Sequence, residues 1–212
     1  MRDGTGGMEP EMRRAAQGGK APRVALFARF PEPGRAKTRL IPALGAEGAA
    51  ALHRRLTERA LGALRASGLP FELRHTGAAP EAFRAWLGGA VPLAEQGEGD
   101  LGARMARAAA DTPAILVGAD LPDLAPRHLR AAAAALEGHP AVIGPAEDGG
   151  YWLLGLREPM PFLFEPMAWG TEAVFAETMA RFAAHEIAPA LLERLADLDR
   201  PEDLARWPEL AG

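Results

Sequence analysis

The chain of 212 residues contains no cysteine. This absence excludes disulfide bonds, cysteine-ligated zinc and thiolate nucleophiles. The chain also has no apolar run near the roughly 20 residues that a membrane-spanning helix needs, and its N-terminus lacks the apolar centre of a signal peptide. We therefore expect a cytoplasmic protein that has no membrane partner.

Several catalytic and binding motifs are missing as well. The sequence has no Walker motif, no GxGxxG fingerprint and no Gly-x-Ser-x-Gly elbow, and its five histidines do not have metal-ligand spacing. A formal net charge of −4 gives no overall positive field for nucleic acid. Local basic clusters can still bind a small anion, so small molecules are the expected partners.

The composition and patterning indicate one α/β domain. Hydrophobic residues make up 48% and charged residues 25% of the chain, which is a globular balance. Residues 1–22 are rich in Gly, Arg and Glu without periodicity, and we expect a disordered extension there and a single domain over 23–212. Strands are predicted at 23–28, 71–76, 114–118, 141–144 and 151–156, and helices at 46–67, 80–86, 99–110, 126–136, 171–184 and 201–207.

Alternating strands and helices predict a Rossmann-like, three-layer α/β/α fold around a mostly parallel sheet. Ligands of such sheets bind beyond the carboxyl ends of the strands. The unusual residues of this sequence lie at those ends, which is the main argument for an active site there.

The loop after the first predicted strand is strongly basic. Arg29, Arg35, Lys37 and Arg39 lie within eleven residues, and Gly34 can turn backbone amides inward. Guanidinium, ammonium and amide groups suit a di- or triphosphate, so we predict phosphate binding. The alternative is an ordinary solvated loop.

Asp120 follows a buried strand and is predicted to bind a divalent metal. The alternative is helix capping, but Asp123 is nearer to the helix that starts at Pro126 and explains capping better. Asp197 and Asp199 are candidates for a second metal carboxylate, or else turn residues.

Two glycine-containing segments are candidates for the acceptor site. Asp148, Gly149 and Gly150 form a hairpin-turn signal, yet the glycines also permit close approach of a substrate, and Asp148 then binds metal or an acceptor hydroxyl. The other segment contains Trp169, Gly170 and Thr171, where Thr171 either holds the acceptor or caps the next helix.

Gln96 opens a third polar, glycine-rich segment, which runs from 96 to 105. The segment could place Gln96 near a base or ribose. The alternative is a plain loop in which Asp100 caps the helix that follows.

Taken in order, these segments resemble the DUF2064 family from about Arg23 onward. They are Phe27-Ala28-Arg29, Pro33-Gly34, Lys37-Thr38-Arg39-Leu40, Gln96 to Met105, Gly118-Ala119-Asp120-Leu121-Pro122, Gly144-Pro145, Asp148-Gly149-Gly150-Tyr151, Trp169-Gly170-Thr171, Asp197-Leu198-Asp199 and Pro201-Glu202-Asp203-Leu204. That family consists of glycosyltransferase-like proteins associated with radical-SAM gene clusters and arsenosugar biosynthesis. Trp152 stands where the family pattern has tyrosine, and Arg200 where it has threonine, which weakens the case for Asp199.

The resemblance implies a GT-A-type nucleotide-diphospho-sugar transferase fold, with kinship to nucleotidyltransferases such as the phospholactate guanylyltransferases. By matching position, it assigns nucleotide phosphates to the loop from Gly34 to Arg39 and metal to Asp120, with Asp148 or Asp199 completing the metal site. Fold alone does not fix the chemistry.

The functional expectation is glycosyl transfer from a nucleotide-diphospho-sugar to a small acceptor, with Mg²⁺ or Mn²⁺. Asp148 and Lys37 are the candidate catalytic residues. Nucleotidyl transfer from an NTP with release of pyrophosphate is the alternative, and a non-catalytic nucleotide-binding module is a third. All of these require basic loop residues and Asp120 to meet at one pyrophosphate group.

Overall fold

The computed structural model describes residues 20–210, which form seven strands and five α-helices. The strands are β1 (Arg23–Arg29), β2 (Phe71–Thr76), β3 (Leu93–Glu95), β4 (Ala114–Gly118), β5 (Ala141–Pro145), β6 (Tyr151–Leu156) and β7 (Ala190–Leu191). The helices are α1 (Ile41–Ser67), α2 (Pro80–Leu87), α3 (Leu101–Ala108), α4 (Pro126–Gly138) and α5 (Val174–Ala184). Short 3₁₀ turns cover Thr38–Leu40, Pro161–Phe164, Pro201–Arg206 and Pro208–Leu210.

All seven strands join one sheet in the order β3-β2-β1-β4-β6-β5-β7. Strand β6 runs antiparallel to both β4 and β5, while every other pairing is parallel. The prediction of a mostly parallel sheet is therefore confirmed. The antiparallel direction of β6 follows from its short connection to β5, because a few residues can join antiparallel strands but not parallel ones.

Helices cover both faces of the sheet and give the predicted three layers. On one face, Val24 and Leu26 of β1 pack in a cluster with Leu61 and Leu64 of α1 and with Leu129 of α4. On the other face, the intervening Ala25 packs in a cluster with Met105 of α3 and Phe182 of α5. Successive strand residues point to opposite faces, so β1 contributes to both layers of core.

Element bounds differ from the prediction at several places. The strands β3 and β7 have three and two residues and carry no readable alternation. Helix α1 starts earlier than predicted and is interrupted at Gly45, whose φ is 70°. Helix α5 starts at Val174, since residues 171–173 form turns. Most of the predicted extension, residues 1–19, lies outside the described residues, and β1 begins at Arg23.

The segment that follows β7 places two aspartates beside the ends of β4 and β5. Leu195 forms a parallel bridge with Ala146, and the Leu198 amide donates to the Asp120 carbonyl at 2.9 Å. The Leu198 side chain is fully buried in a third cluster, against α1. These contacts fix Asp197 and Asp199 at the carboxyl edge of the sheet.

Across residues 20–210, the structure contains no helix with the length and apolarity to cross a membrane.

Candidate active site

Basic loop residues and carboxylates meet where β1 and β4 end. The Lys37 ammonium lies 2.7 Å from Asp120 Oδ1 and 3.6 Å from Asp199 Oδ1, and it donates to the carbonyl oxygen of Leu198. The Arg39 guanidinium donates to Asp199 Oδ2 at 2.6 Å. The convergence expected from the sequence, of Lys37 and Arg39 with the Asp120 carboxylate, is thus present in the fold.

The backbone of Lys37 turns its side chain into this cluster. Lys37 has φ 48° and ψ 45°, the left-handed helical conformation, which costs about 1–2 kcal/mol for a residue with a Cβ. Its side chain is only 3% exposed, although lysine is rarely buried without a partner. The ion pairs and the bond to Leu198 offset this strain, and they leave the Lys37 ammonium bonded to protein atoms.

His53 of α1 is a site residue that sequence reasoning missed. Its Nε2 lies 2.9 Å from the Arg29 carbonyl oxygen and donates to it. Its buried Nδ1 lies 3.7 Å from Asp120 Oδ1. A histidine in the middle of a long helix gives no signal that separates it from other inward-facing residues. His53 connects the end of β1 to the Asp120 carboxylate.

Asp120 presents one oxygen to the protein and the other to a cavity. Its Oδ1 is buried, yet the side chain as a whole is 46% exposed, so the exposure belongs to the side that carries Oδ2. Burial alone would raise the pKa of Asp120, but Lys37 and then His53 outweigh burial and hold the pKa well below its usual range. Asp120 is therefore ionised throughout the neutral range.

Asp197 has the opposite electrostatic environment. Partial burial of its side chain, and next the negative charge of Asp148, raise the pKa of Asp197 to about 6. A carboxyl group with a pKa near neutral inside a cleft is a common mark of acid–base function. From the sequence alone, Asp197 was equally compatible with a turn, because the proximity of Asp148 arises only in the fold.

Three cavities adjoin the carboxylates, and two of them also border Asp120. The first, here the basic cavity, has a volume of about 330 Å³ and contains all four predicted phosphate-binding cations, Arg29, Arg35, Lys37 and Arg39. The second, here the aromatic cavity, also has a volume of about 330 Å³. Its walls include Phe27, Leu101, Met105, Tyr151, Trp152, Trp169, Gly170, Thr171 and Val174, and its carboxylates are Asp120, Asp148, Asp197 and Asp199. Asp120 and Asp199 border both of these cavities. The third, of about 440 Å³, is lined by Asp148, Asp197 and Asp199 and by Arg39, Arg200 and Arg206.

The predicted acceptor residues collect around the aromatic cavity. Gly150, Trp169, Gly170 and Thr171 line it. Gly149 supports this wall from behind: its φ is 89°, and a Cβ there would lie 2.4 Å from the Glu172 carbonyl oxygen. The Thr171 hydroxyl donates to the Ala168 carbonyl rather than capping α5.

The hairpin-turn interpretation of Asp148 also holds. Its Oδ1 accepts a hydrogen bond from the Gly150 amide at 2.8 Å, and the same side chain lines the aromatic cavity. One residue therefore shapes the turn and faces the cavity.

Gln96 and Gly34 differ from the other predicted residues in their positions. Gln96 is buried, and its amide donates to the carbonyl oxygens of Ala28 and Arg74. It contributes to neither cavity, so a contact with base or ribose stays a prediction. Gly34 is exposed in the basic loop with φ 78°.

Oxygen ligands suited to a hard divalent cation are present around these cavities. Within residues 20–210, no three Asp, Glu or His side chains form a ready-made metal-binding group. However, Mg²⁺ is usually held by one or two carboxylates together with substrate phosphates. The outward side of Asp120 and the adjacent Asp199 fit that pattern, because both border the cavity that holds the cationic side chains.

The family comparison identifies the chain. The model of a family described as "Uncharacterized protein conserved in bacteria (DUF2064)" matches residues 60–171, which is more than half of the sequence. The chain belongs to the DUF2064 family. No curated protein matches it by sequence.

Solved structures resemble this DUF2064 protein over nearly its whole length. A protein from Desulfovibrio desulfuricans G20, provisionally assigned as a nucleotide-diphospho-sugar transferase, is 29% identical with a TM-score of 0.83, over 90% of this chain and 88% of that one. Rv0371c from Mycobacterium tuberculosis H37Rv, in complex with manganese, is 19% identical with a TM-score of 0.53, over 89% of this chain and 98% of that one.

A third match is more distant. 4-Diphosphocytidyl-2C-methyl-D-erythritol synthase from Anaerococcus prevotii DSM 20548 is 8% identical with a TM-score of 0.54, over 88% of this chain and 96% of that one. The fold is therefore that of nucleotide-diphospho-sugar transferase-like proteins.

Proposed function

We propose that this DUF2064 protein is a transferase that uses a nucleotide-activated donor, and that it transfers a glycosyl group from a nucleotide-diphospho-sugar with the aid of Mg²⁺ or Mn²⁺. The observation that carries the proposal is the position of Asp120 and Asp199, which lie between a cavity of cationic side chains and a cavity of aromatic ones. The phosphates of the donor belong in the basic cavity, and the acceptor belongs in the aromatic cavity.

The chain's own residues supply most of the phosphate recognition. Arg29, Arg35 and Arg39 line the basic cavity, and guanidinium suits the oxygens of a diphosphate. Lys37 fixes the carboxylates, because its ammonium contacts both Asp120 and Asp199. This holds the two carboxylates in place where the basic and aromatic cavities meet.

Asp120 and Asp199 are the residues that would hold the metal. When bound, a divalent cation neutralises charge on the leaving diphosphate. The low pKa of Asp120 keeps this ligand ionised.

The aspartate pair Asp148 and Asp197 is suited to accept a proton from an acceptor hydroxyl. Both line the aromatic cavity, and the pKa of Asp197, near 6, matches the requirement for a general base at neutral pH. A sugar acceptor related to arsenosugar biosynthesis stays a prediction from the family resemblance.

Nucleotidyl transfer is the second candidate. Four basic side chains in one cavity also suit a triphosphate, which carries more negative charge than a nucleotide-diphospho-sugar. In that reaction an acceptor oxygen attacks the α-phosphorus of an NTP, and pyrophosphate leaves.

The test is to incubate the protein with Mg²⁺ or Mn²⁺ and panels of nucleotide-diphospho-sugars and NTPs. Stabilisation against heat identifies the donor, since a ligand that binds the folded state raises its unfolding free energy. Release of nucleoside diphosphate supports glycosyl transfer, and release of pyrophosphate supports nucleotidyl transfer. Absence of metal-dependent nucleotide binding, or undiminished binding by Asp120→Ala, contradicts the proposal.

A further inference from the structure

The charge distribution of the aromatic cavity is one-sided. The charged side chains that line it are the four aspartates, and no Lys, Arg or His is among its lining residues in the described chain. Lys37 compensates Asp120 at 2.7 Å, and Arg39 compensates Asp199 at 2.6 Å. Across residues 20–210, by contrast, neither Asp148 nor Asp197 forms an ion pair with a basic side chain. These two aspartates also line the third cavity, which contains Arg39, Arg200 and Arg206. Toward the aromatic cavity, however, the only charged groups of the described residues are carboxylates.

The remaining walls of this cavity are apolar and firmly held. Phe27, Met105, Tyr151 and Trp169 all belong to the hydrophobic layer between the sheet and the helices α3 and α5. The Trp169 ring packs directly on Gly102, where a Cβ would lie 2.6 Å from the ring. The glycine thereby allows a flat aromatic wall close against α3.

From this combination we propose that the acceptor is an organic molecule with an apolar or aromatic part and no negative charge. Neutral hydroxyl compounds and organic cations are admitted, whereas compounds that carry a phosphate or carboxylate are excluded. Aromatic faces attract cations and tolerate neutral groups, while carboxylates in a partly closed cavity repel an anion. The inference rests on the proposed function, because that function assigns the aromatic cavity to the acceptor.

The inference restricts the type of reaction as well as the class of acceptor. An acceptor that attacks through its own phosphate group, as in a phospholactate-type nucleotidyl transfer, would have to bring that phosphate beside Asp148 and Asp197. A hydroxyl acceptor meets no such repulsion and can give its proton to the same aspartates.

The experiment uses three probes of nearly equal shape and different charge: 2-phenylethylamine, 2-phenylethanol and phenylacetate. Dissociation constants are measured by ligand-observed NMR on the full chain, once with EDTA and once with Mg²⁺. We expect the amine to bind at least about tenfold more tightly than phenylacetate, with the alcohol between them and phenylacetate weakest in both buffers. Phenylacetate binding as tightly as the alcohol in either buffer overturns the inference.

Variants test whether the carboxylates of the aromatic cavity cause this order of dissociation constants. Asp148→Asn combined with Asp197→Asn should bring the three dissociation constants within about threefold of one another, since the repulsion is gone. As a control, Glu137→Gln removes one negative charge from the exposed surface of α4 and should leave the wild-type order unchanged. If the double variant keeps the wild-type order, the two aspartates are not its cause and the inference fails.

Failure of this inference differs from failure of the proposed function. Stabilisation by nucleotides in the presence of Mg²⁺ is measured on the same samples. Nucleotide binding together with tight phenylacetate binding refutes the acceptor class alone. Preference for the amine without any nucleotide binding refutes the proposed transferase reaction, and it leaves the charge selectivity of the cavity standing.

Discussion

Replacing Asp197 with asparagine should stabilise the protein at neutral pH while impairing transfer. Burial and the nearby charge of Asp148 raise the pKa of Asp197 from 3.8 to about 6. At about 1.4 kcal/mol per pKa unit, this rise means that folding disfavours the ionised form of Asp197 by roughly 3 kcal/mol. Because the side chain is only partly buried, solvent screening reduces the expected gain in unfolding free energy to about 1–2 kcal/mol.

The direction with pH follows from proton binding. Between about pH 4 and pH 6 the folded chain keeps a proton on Asp197 that the unfolded chain has released, so wild-type stability falls as the pH rises through this window. Asp120 acts in the opposite sense: its folded-state pKa is lowered, and its contribution is lost only as the pH falls below about 4. The two effects therefore occur in separate pH ranges.

The assay is denaturant and thermal unfolding of wild type and Asp197→Asn at several pH values. At about pH 7 the variant should gain roughly 2–8 °C in Tm for a domain of this size, and at about pH 4 the difference should nearly vanish. In Asp148→Asn, the pH range over which stability falls should shift to lower pH, because one cause of the raised pKa of Asp197 is removed. A variant that is no more stable than wild type at about pH 7 would refute the reasoning.

Three further substitutions test the site and its support. Lys37→Met removes a buried ammonium from between two carboxylates and should lower the unfolding free energy by about 2 kcal/mol in urea titrations, so an unchanged midpoint contradicts the ion-pair account. Gly149→Ala places a Cβ 2.4 Å from the Glu172 carbonyl oxygen at a positive φ and should cost about 1–3 kcal/mol, whereas Gly138→Ala, with open space around it, should cost little in the same thermal melts. Arg39→Ala breaks an exposed ion pair and should change stability by no more than about 1 kcal/mol, yet calorimetry should show nucleotide affinity at least tenfold lower; unchanged affinity would argue against phosphates in the basic cavity.

The sequence predicted those site residues that directly follow a recognisable strand. The apolar run 114–118 is β4, and Asp120 follows it as expected, so the meeting of Asp120 with the loop after β1 could be inferred from the parallel order of strands. The mostly parallel sheet and five of its seven strands were predictable for the same reason. The strands β3 and β7 were not, because three and two residues are too few to show a period.

Site residues that depend on distant contacts could not be predicted with the same certainty. His53 reaches Asp120 from a helix that starts after the basic loop, and nothing in its neighbours along the chain marks it. The pKa of Asp197 reflects Asp148, almost fifty positions earlier. The polar, glycine-rich segment favours a ligand contact for Gln96, and this stays a prediction. The bonds from its amide to backbone carbonyl groups of two strands could not be inferred from the sequence.

The bridge between Leu195 and Ala146 gives the site an order of assembly during synthesis. Lys37 and Asp120 emerge from the ribosome long before Leu198 and Asp199, which complete the set of groups around the ammonium. A nascent chain that has already folded its central strands therefore still lacks two of the three protein groups that contact the ammonium. The groups around the Lys37 ammonium are complete only when the segment from Leu195 to Asp199 has docked against Ala146 and Asp120.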